Sequence, residues 1–530
     1  MEQYTGTSAY EGIAIGQIFE MKQFSDIVRC IPVDDPDAEV QRFEAAREQA
    51  DSELASLRKS AGEIVGDKEA ALFDAHRLIL RDANFSGSIR ELIRSGNLNA
   101  EAAVDEIKRQ YEEDFSLLNN DYMRERMADV RDVADRLIVC LSQEEEKLTL
   151  PENAVVVADD LTPSRVAAFD RKKILAVVLR RGSVISHAVI LAKAMHLPTV
   201  IQAELPEGCS GKRCIVDGSG GTVLVSPDEE TIEKYRKLRA SEQEYGEQLI
   251  RMKTLETVTK SGKKIPLYAN VGSAGDFMEA DENGAEGIGL YRTEFFYLNR
   301  STLPTEDTQF NYYRASAEME DGKEIIIRTF DIGSDKKFEQ SVLFRDTDPA
   351  RHGILFCFDH PGLFRTQLRA ICRASRYGDV RVMFPMIRSA EEFFRAKEFV
   401  SDVQKELADR KTEYRSDMPL GIMIETREAI ASLDQLASVC DFFSIGSNDL
   451  TRAEEAAHPD LDAAAIREIL LQDIEASVNA GHRHGIRVCI CGEMGSDPYL
   501  TGTFVKMGID MLSMSPAEIL PIRKIIRGME

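Results

Sequence analysis

From about residue 258 to the end of the chain, short apolar runs alternate with segments in which apolar residues recur at helical spacing. Each run is six to eight residues long, and the eight runs span 266–271, 287–293, 324–330, 380–386, 419–426, 442–449, 487–493 and 511–516. Strand-like runs that alternate with helical segments are typical of parallel βαβ units. Eight such units predict a (β/α)₈ barrel over residues 258–530.

The first half of the chain shows different patterns, which predict a multidomain α/β protein. Between residues 37 and 142, glycine and proline are rare and apolar residues recur at helical spacing, so this segment is predicted to be an inserted all-α helical bundle of about four helices. Residues 1–36 and 143–227 contain short β-rich runs and two helical segments, which predict one small α/β domain. Residues 228–257 are charged and helical, and we interpret them as a linker helix.

Composition narrows the class of protein. The chain of 530 residues has 66 Lys and Arg against 91 Asp and Glu, a formal charge of −25. This balance argues against nucleic-acid partners and anionic membranes, but it suits a partner protein with a basic face. No apolar run approaches the ~18 residues that span a membrane, so membrane insertion is not expected. Nine cysteines, an odd number, lie scattered along the chain, and no secretory signal is visible, so we expect a cytoplasmic protein.

Polar residues follow several of the predicted barrel strands. In (β/α)₈ enzymes the active site lies at the carboxyl ends of the strands, so these residues are candidates for one common site. The alternative interpretation is that these are solvated polar groups that only cap the strands. That interpretation accounts well for one such residue but poorly for a series around the barrel. The series comprises Arg292, Glu294, Arg328, Asp331, Glu425, Asn448, Asp449, Cys491 and Glu493.

The charges in this series favour a phosphorylated substrate and a divalent metal. Arg292, Arg328 and the nearby Lys336 provide cations that suit a phosphate or a carboxylate. Glu425 and Asp449 are hard oxygen ligands, and two carboxylates together with substrate oxygens commonly hold Mg²⁺. A phosphorylated enol or keto acid with Mg²⁺ fits these residues.

Two uncharged members of the series complete the predicted site. Asn448 can orient a substrate oxygen, and Cys491 is a candidate proton donor or nucleophile. Cys491 can equally be a buried barrel cysteine with no chemical role. No GxxxxGK[ST] motif occurs, so a P-loop nucleotide site is not predicted.

A second candidate site lies in the small α/β domain. Gly182 and Ser183 precede Ser186 and His187, which open an apolar helix. Backbone N–H groups at the start of a helix favour an anion, and a histidine there can carry a phosphoryl group covalently. The alternative interpretation is a packed or capping histidine, which is how we interpret the nearby His196.

Ten motifs, taken together, resemble Enzyme I of the bacterial phosphoenolpyruvate:sugar phosphotransferase system. The resemblance covers almost the whole chain, with the motifs in the same order. It implies a phosphoenolpyruvate-protein phosphotransferase that uses Mg²⁺, forms a homodimer through its barrel and phosphorylates the carrier protein HPr in the first step of sugar uptake. The motifs are LFDAHRLILRD, YMRERMADVRDVADRL, SHAVILAKAMHLP, GIGLYRTEFF, RTFDIGSDK, VMFPMI, GIMIET, FFSIGSNDLT, CGEMGSDP and GIDMLSMSP.

The resemblance also implies a role for each part of the chain. Residues 37–142 would bind HPr, the swivelling domain of residues 1–36 and 143–227 would carry the phosphohistidine, and the barrel would bind phosphoenolpyruvate. Residue by residue, the implied roles are phosphoryl acceptor for His187, proton donor for Cys491, phosphoryl binding for Arg292, Arg328 and Lys336, substrate contact for Asn448 and Asp449, and Mg²⁺ binding for Glu425 and Asp449.

The chain departs from the family pattern at four places, and two family arginines are missing. Arg351 is the nearest substitute for one, and Pro459 occupies the place of the other. Ile185 replaces a threonine before the histidine, and Arg427 replaces a proline and is a candidate to restore one positive charge. An active phosphotransferase is the first hypothesis. The alternatives are a divergent, weakly active or regulatory paralogue, and an enzyme for a different phosphorylated keto acid.

Overall fold

The computed structural model describes residues 1–21, 28–65, 70–116, 121–142, 150–184, 186–297, 303–331 and 351–530. These residues form two compact units, Met1–Glu244 and Tyr245–Glu530. In the part of the chain that is described, no helix is both long and apolar enough to cross a membrane.

One mixed sheet forms the centre of the first unit. Its strands are β1 (Glu2–Thr5), β2 (Thr7–Tyr10), β3 (Ile13–Glu20), β4 (Ala154–Ala158), β5 (Ile174–Leu179), β6 (Thr199–Ile201), β7 (Arg213–Asp217) and β8 (Thr222–Val225). Their order is β1-β8-β7-β3-β4-β5-β6-β2, with β3 to β6 parallel and the other pairs antiparallel.

The first two strands lie at opposite edges of this sheet, and Gly6 joins them. A Cβ atom at Gly6 would lie 2.3 Å from the carbonyl oxygen of Ile201, so only glycine fits this crossing. The N-terminal segment is therefore an integral part of the α/β sheet.

Five helices precede β4 within the described residues, where the sequence predicts about four. They are α1 (Pro36–Val65), α2 (Leu72–Arg81), α3 (Ala83–Gly96), α4 (Ala100–Ser116) and α5 (Asp121–Ser142). The extra boundary lies at Asp82, whose carboxylate accepts the N–H groups of Asn84 and Phe85 at 2.8 and 3.0 Å. This N-cap starts a new helix at a point where the apolar spacing alone predicts one continuous helix.

Three further helices belong to the segment between β4 and the barrel: α6 (Pro163–Ala167), α7 (His187–Ala194) and α8 (Glu229–Ile250). The two predicted helices of the α/β domain correspond to α6 and α7. The linker helix α8 ends before residue 257, and residues 251–255 form turns.

The second unit is a closed barrel of eight parallel strands, as predicted. The strands are β9 (Leu267–Val271), β10 (Ile288–Tyr291), β11 (Glu324–Arg328), β12 (Asp379–Phe384), β13 (Leu420–Ile424), β14 (Phe442–Ile445), β15 (Arg487–Ile490) and β16 (Met511–Met514). The helices of this unit are α9 (Ala274–Glu282), α10 (Glu306–Met319), α11 (Ile354–Asp359), α12 (Pro361–Ala374), α13 (Ala390–Asp409), α14 (Arg427–Ala431), α15 (Leu433–Ala437), α16 (Ser447–Ala457), α17 (Ala463–Arg483), α18 (Thr501–Met507) and α19 (Ile519–Gly528).

Side chains fill the interior of the barrel. The inward-facing cluster includes Leu290, Ile326, Met423, Phe442 and Cys489, all buried. Because the interior is packed, a ligand can enter only at an end, and Arg328, Glu425 and Cys491 lie at the carboxyl ends of β11, β13 and β15.

Candidate active site

Glu425 directly follows β13 and is the most buried carboxylate of the predicted site, with 1% of its surface exposed. Its Oε1 atom accepts the backbone N–H of Met386 at 2.6 Å. Its Oε2 atom has no hydrogen-bond partner among the described residues. A Cβ at Gly446 would lie 2.8 Å from Oε2, so the glycine keeps the space beside this oxygen open. Burial raises the pKa of Glu425 well above its usual range, and the charge of Asp331 raises it further.

Arg328 ends β11 and is held by two carboxylates. Its Nη2 atom lies 2.8 Å from Oε1 of Glu294, and its Nη1 atom lies 2.9 Å from Oδ2 of Asp331. Burial by itself lowers the pKa of Arg328, but the charges of Glu294 and Asp331 outweigh burial and raise it. The guanidinium therefore stays charged, and its two terminal nitrogens already bind protein carboxylates.

Cys491 directly follows β15 and is fully buried. Its thiol donates to the carbonyl oxygen of Ile445 at 3.5 Å. Burial raises the pKa of Cys491 to about 11, while the charges of Arg328 and Arg292 lower it. The thiol is thus protonated at neutral pH, which suits a proton donor and not a thiolate nucleophile.

A hydrogen-bonded network fixes the backbone around Cys491. The Nδ2 group of Asn270 donates to the carbonyl oxygen of Cys491 at 2.8 Å, and Ser513 donates to Oδ1 of Asn270 at 2.6 Å. The Oδ1 atom of Asn448 accepts the N–H of Glu493 at 2.9 Å. Asn448 therefore joins the ends of β14 and β15, where the sequence predicts a contact with substrate.

A cavity of about 530 Å³ opens at this end of the barrel. Of the predicted site residues, Glu425 and Asp449 line it. Arg292 has an exposed side chain and is close enough to Cys491 to affect its pKa, but it does not line the cavity. Lys336 lies outside the described residues.

Two further arginines that line the cavity were not named from the sequence. Arg388 follows β12 by four residues, and Arg452 lies on α16 with Nη1 3.0 Å from Oδ1 of Asp449. The same strand-end rule applied to β12 would have found Arg388. No sequence signal identifies Arg452, because only the helical turn of α16 brings it back beside Asp449.

Of the two arginines named as substitutes, only Arg427 lines the cavity. Arg351 is bound through Nε and Nη2 to Asp359, at 2.6 and 2.8 Å. Its side chain is 48% exposed.

His187, in the first unit, is the first residue of α7. Ser186 is the N-cap, and its Oγ atom accepts the N–H of Val189 at 3.4 Å. Gly182 has φ +119°, a conformation that favours glycine, and Ile185 lies outside the described residues. The His187 side chain is half-buried and has no hydrogen bond or ion pair among the described residues. In contrast, Nδ1 of His196 lies 2.8 Å from the hydroxyl of Tyr10, in agreement with a packing role.

The helices α1 to α5 contain a buried polar network around His76. Its Nε2 atom lies 3.1 Å from Asp129, and its Nδ1 atom lies 3.5 Å from Asp132. Asp132 also accepts the hydroxyl of Ser164, at the start of α6, at 2.8 Å. On the same helix as His76, Leu78 is 69% exposed.

Family models and relatives of known name both match most of the chain. Three family models match, described as PEP-utilising enzyme N-terminal (residues 5–126), mobile domain (150–221) and PEP-binding domain (246–530). A phosphoenolpyruvate-protein phosphotransferase from Listeria innocua is 36% identical over 100% of this chain and 94% of its own length. One of the same name from Bacillus subtilis is 34% identical over 99% and 94%. An NMR structure of an Enzyme I (nEIt) protein, 28% identical, covers 45% of this chain and 99% of its own with a TM-score of 0.37.

Proposed function

The chain belongs to the phosphoenolpyruvate-protein phosphotransferase family of PEP-utilising enzymes, and from this premise we propose which residues perform the reaction. Phosphoenolpyruvate binds at the barrel mouth. Its phosphoryl group passes to a ring nitrogen of His187, so that the bond from phosphorus to the enol oxygen breaks and a phosphorus–nitrogen bond forms. The enolate takes the thiol proton of Cys491 at its terminal carbon and becomes pyruvate, and water restores the proton to the thiolate.

The observation that carries this proposal is the combination of a protonated buried thiol with a buried carboxylate that has an unused oxygen. The thiol of Cys491, with a pKa of about 11, retains its proton until a strongly basic carbanion forms. The neighbouring Arg328 keeps its positive charge throughout, because Glu294 and Asp331 hold it.

The free Oε2 atom of Glu425 and the cavity-facing carboxylate of Asp449 fit a divalent cation. We propose that these two residues hold Mg²⁺, which when bound neutralises charge on the substrate oxygens. The remaining ligands would be substrate oxygens and water, as is usual for this ion.

We propose HPr, or a related phosphocarrier, as the acceptor, bound by residues 37–142. This segment contains 23 Asp and Glu against 15 Lys and Arg, which suits a basic partner surface. Leu78, exposed on α2 within one of the resembling motifs, is the apolar residue we expect at the centre of that contact.

From the family resemblance we also propose a homodimer formed through the barrel, in the cytoplasm. All nine cysteines are free thiols, which supports a reducing compartment. Analytical ultracentrifugation of the full chain tests the dimer.

Label transfer tests the proposed function. The purified protein is incubated with radiolabelled phosphoenolpyruvate and Mg²⁺, with and without HPr. We expect an acid-labile label that requires His187 and passes to HPr. His187→Ala abolishes it, whereas His196→Ala, the matched control in the same domain, retains it. A folded wild-type protein that takes no label contradicts the active enzyme and favours the divergent paralogue.

A further inference from the structure

The barrel-mouth cavity carries positive charge from residues that the motifs do not assign to substrate binding. Arg388, Arg427 and Arg452 line it and come from the segments after three adjacent strands, β12, β13 and β14. They flank the proposed metal carboxylates, Glu425 after β13 and Asp449 on α16. A substrate with a phosphoryl group and a carboxylate needs cations on the cavity wall beyond the metal.

The three arginines differ in how the protein holds them. Arg388 binds Glu392 through Nε at 3.0 Å and through Nη2, and Arg452 binds Asp449 through Nη1. Arg427 is bound only through Nε, which donates to Oε1 of Glu454 at 3.1 Å. Its Nη1 and Nη2 atoms have no partner among the described residues.

Glu454 is suited to fix the direction of Arg427. It lies on α16, and its side chain is only 5% exposed, while that of Arg427 is 52% exposed. Its Oε2 atom lies 3.4 Å from Nε2 of His458, so both carboxylate oxygens have a partner. A buried acceptor on Nε holds the guanidinium plane and leaves the edge formed by Nη1 and Nη2 available, and this edge binds planar oxygen pairs with two parallel hydrogen bonds.

We propose that Arg427 binds an anionic group of the substrate directly and that Glu454 is the positioning residue that orients it. This inference rests on the proposed function, because it assumes phosphoenolpyruvate in the barrel-mouth cavity. It explains how this chain binds its substrate when Arg328 is already bound to Glu294 and Asp331.

The direct test measures binding in the His187→Ala protein, which leaves phosphoenolpyruvate unconsumed. With Mg²⁺ present, isothermal titration calorimetry compares the binding of phosphoenolpyruvate with and without Arg427→Met. Loss of a charge-assisted hydrogen-bond pair corresponds to roughly 10- to 100-fold weaker binding. Arg351→Met is the matched control: it also removes one positive charge, but its side chain is held by Asp359 outside the cavity, so we expect less than a twofold change.

Glu454→Gln separates positioning from a general structural effect. In the otherwise wild-type enzyme it should raise KM for phosphoenolpyruvate several-fold with little change in kcat. In the Arg427→Met background it should have no further effect on binding, because the group it orients is gone. An equal loss in both backgrounds overturns the positioning role.

Competition by two small anions identifies the substrate group that Arg427 contacts. Weaker binding of oxalate to Arg427→Met assigns the substrate carboxylate, and weaker binding of inorganic phosphate assigns the phosphoryl group. Unchanged binding of phosphoenolpyruvate and both anions overturns the inference. The label-transfer experiment distinguishes failure of this inference from failure of the proposed function. If the wild type takes label from phosphoenolpyruvate and Arg427→Met binds phosphoenolpyruvate normally, only this inference fails.

Discussion

Replacing Glu425 with glutamine is expected to stabilise the barrel while it removes the response to Mg²⁺. The Oε1 atom of glutamine can still accept the N–H of Met386, as the carboxylate does at 2.6 Å. What changes is the second oxygen, which is buried and has no hydrogen-bond partner among the described residues. The charges of Asp331 and Asp449 both oppose ionisation of Glu425, so a neutral amide relieves that repulsion.

The size of the gain follows from the burial of this single group. The second carboxylate oxygen is an acceptor without a partner among the described residues, and an unsatisfied buried polar atom costs about 1–3 kcal/mol. The amide Nε2 of glutamine is instead a donor, which the negative charges of Asp331 and Asp449 attract, so the substitution recovers this cost. For a unit of this size, each kcal/mol shifts the melting temperature by roughly 2–4 °C, so we expect Glu425→Gln to melt roughly 2 to 12 °C above the wild type.

Scanning calorimetry in EDTA, and then with Mg²⁺ and oxalate, checks both halves of this prediction. The wild type should gain stability when the ions are added, by about 2.7 kcal/mol at a hundredfold excess over Kd, and Glu425→Gln should gain none. Asp449→Asn is the matched control, since its side chain is 33% exposed and paired with Arg452. It should melt close to the wild type in EDTA, because the lost pair with Arg452 offsets the relieved repulsion of Glu425, and it should also lose the Mg²⁺ response. If Glu425→Gln melts at or below the wild type in EDTA, the argument from the unpartnered oxygen is wrong.

Three further predictions concern the barrel. Cys491→Ala should lower kcat for pyruvate release about 10²- to 10⁴-fold, whereas Cys489→Ala, two residues earlier, within β15 and also buried, should keep wild-type turnover. Arg523→Met should cost about 3–5 kcal/mol in chemical denaturation, because the buried guanidinium donates to the carbonyl groups of residues 252, 253 and 284. The exposed substitution Lys506→Met should cost less than about 0.5 kcal/mol. Burial raises the pKa of Asp473 to about 6, so the folded state loses stability as pH rises from about 4 through 6. At this half-exposed site Asp473→Asn should therefore add about 1 kcal/mol at pH 7.5 and almost nothing at pH 4, as urea melts at the two pH values will show.

The strands of the barrel could be predicted from the sequence because each is a run of apolar residues that ends in a polar one. That pattern is local, and the runs coincide with β9 to β16. The break between α2 and α3 was missed because the side chain of Asp82 takes up two backbone N–H groups within a continuous helical pattern. A cap of this kind depends on the rotamer of one residue, which apolar spacing does not reveal.

The sequence predicts the site residues whose side-chain type alone indicates their chemistry, such as the two carboxylates. Glu425 and Asp449 meet at one cavity, as two strand-end carboxylates should. The cationic residues were harder to assign because a motif gives the position of an arginine and not its partners. Arg328 occupies the expected strand end, yet its terminal nitrogens bind Glu294 and Asp331.

The positive charge that an incoming anion meets is therefore determined by how the arginines are paired and not by how many there are. A carboxylate that pairs with an arginine neutralises its positive charge at long range. The geometry of the pair decides whether any N–H donors of the guanidinium stay available to a ligand. Arg427 is held by Nε alone, so it can be both compensated by Glu454 and available at Nη1 and Nη2. Replacing Arg328 should chiefly destabilise the fold, because it removes the buried cation that Glu294 and Asp331 share. Replacing Arg427 should chiefly weaken substrate binding, because its partner Glu454 still contacts His458.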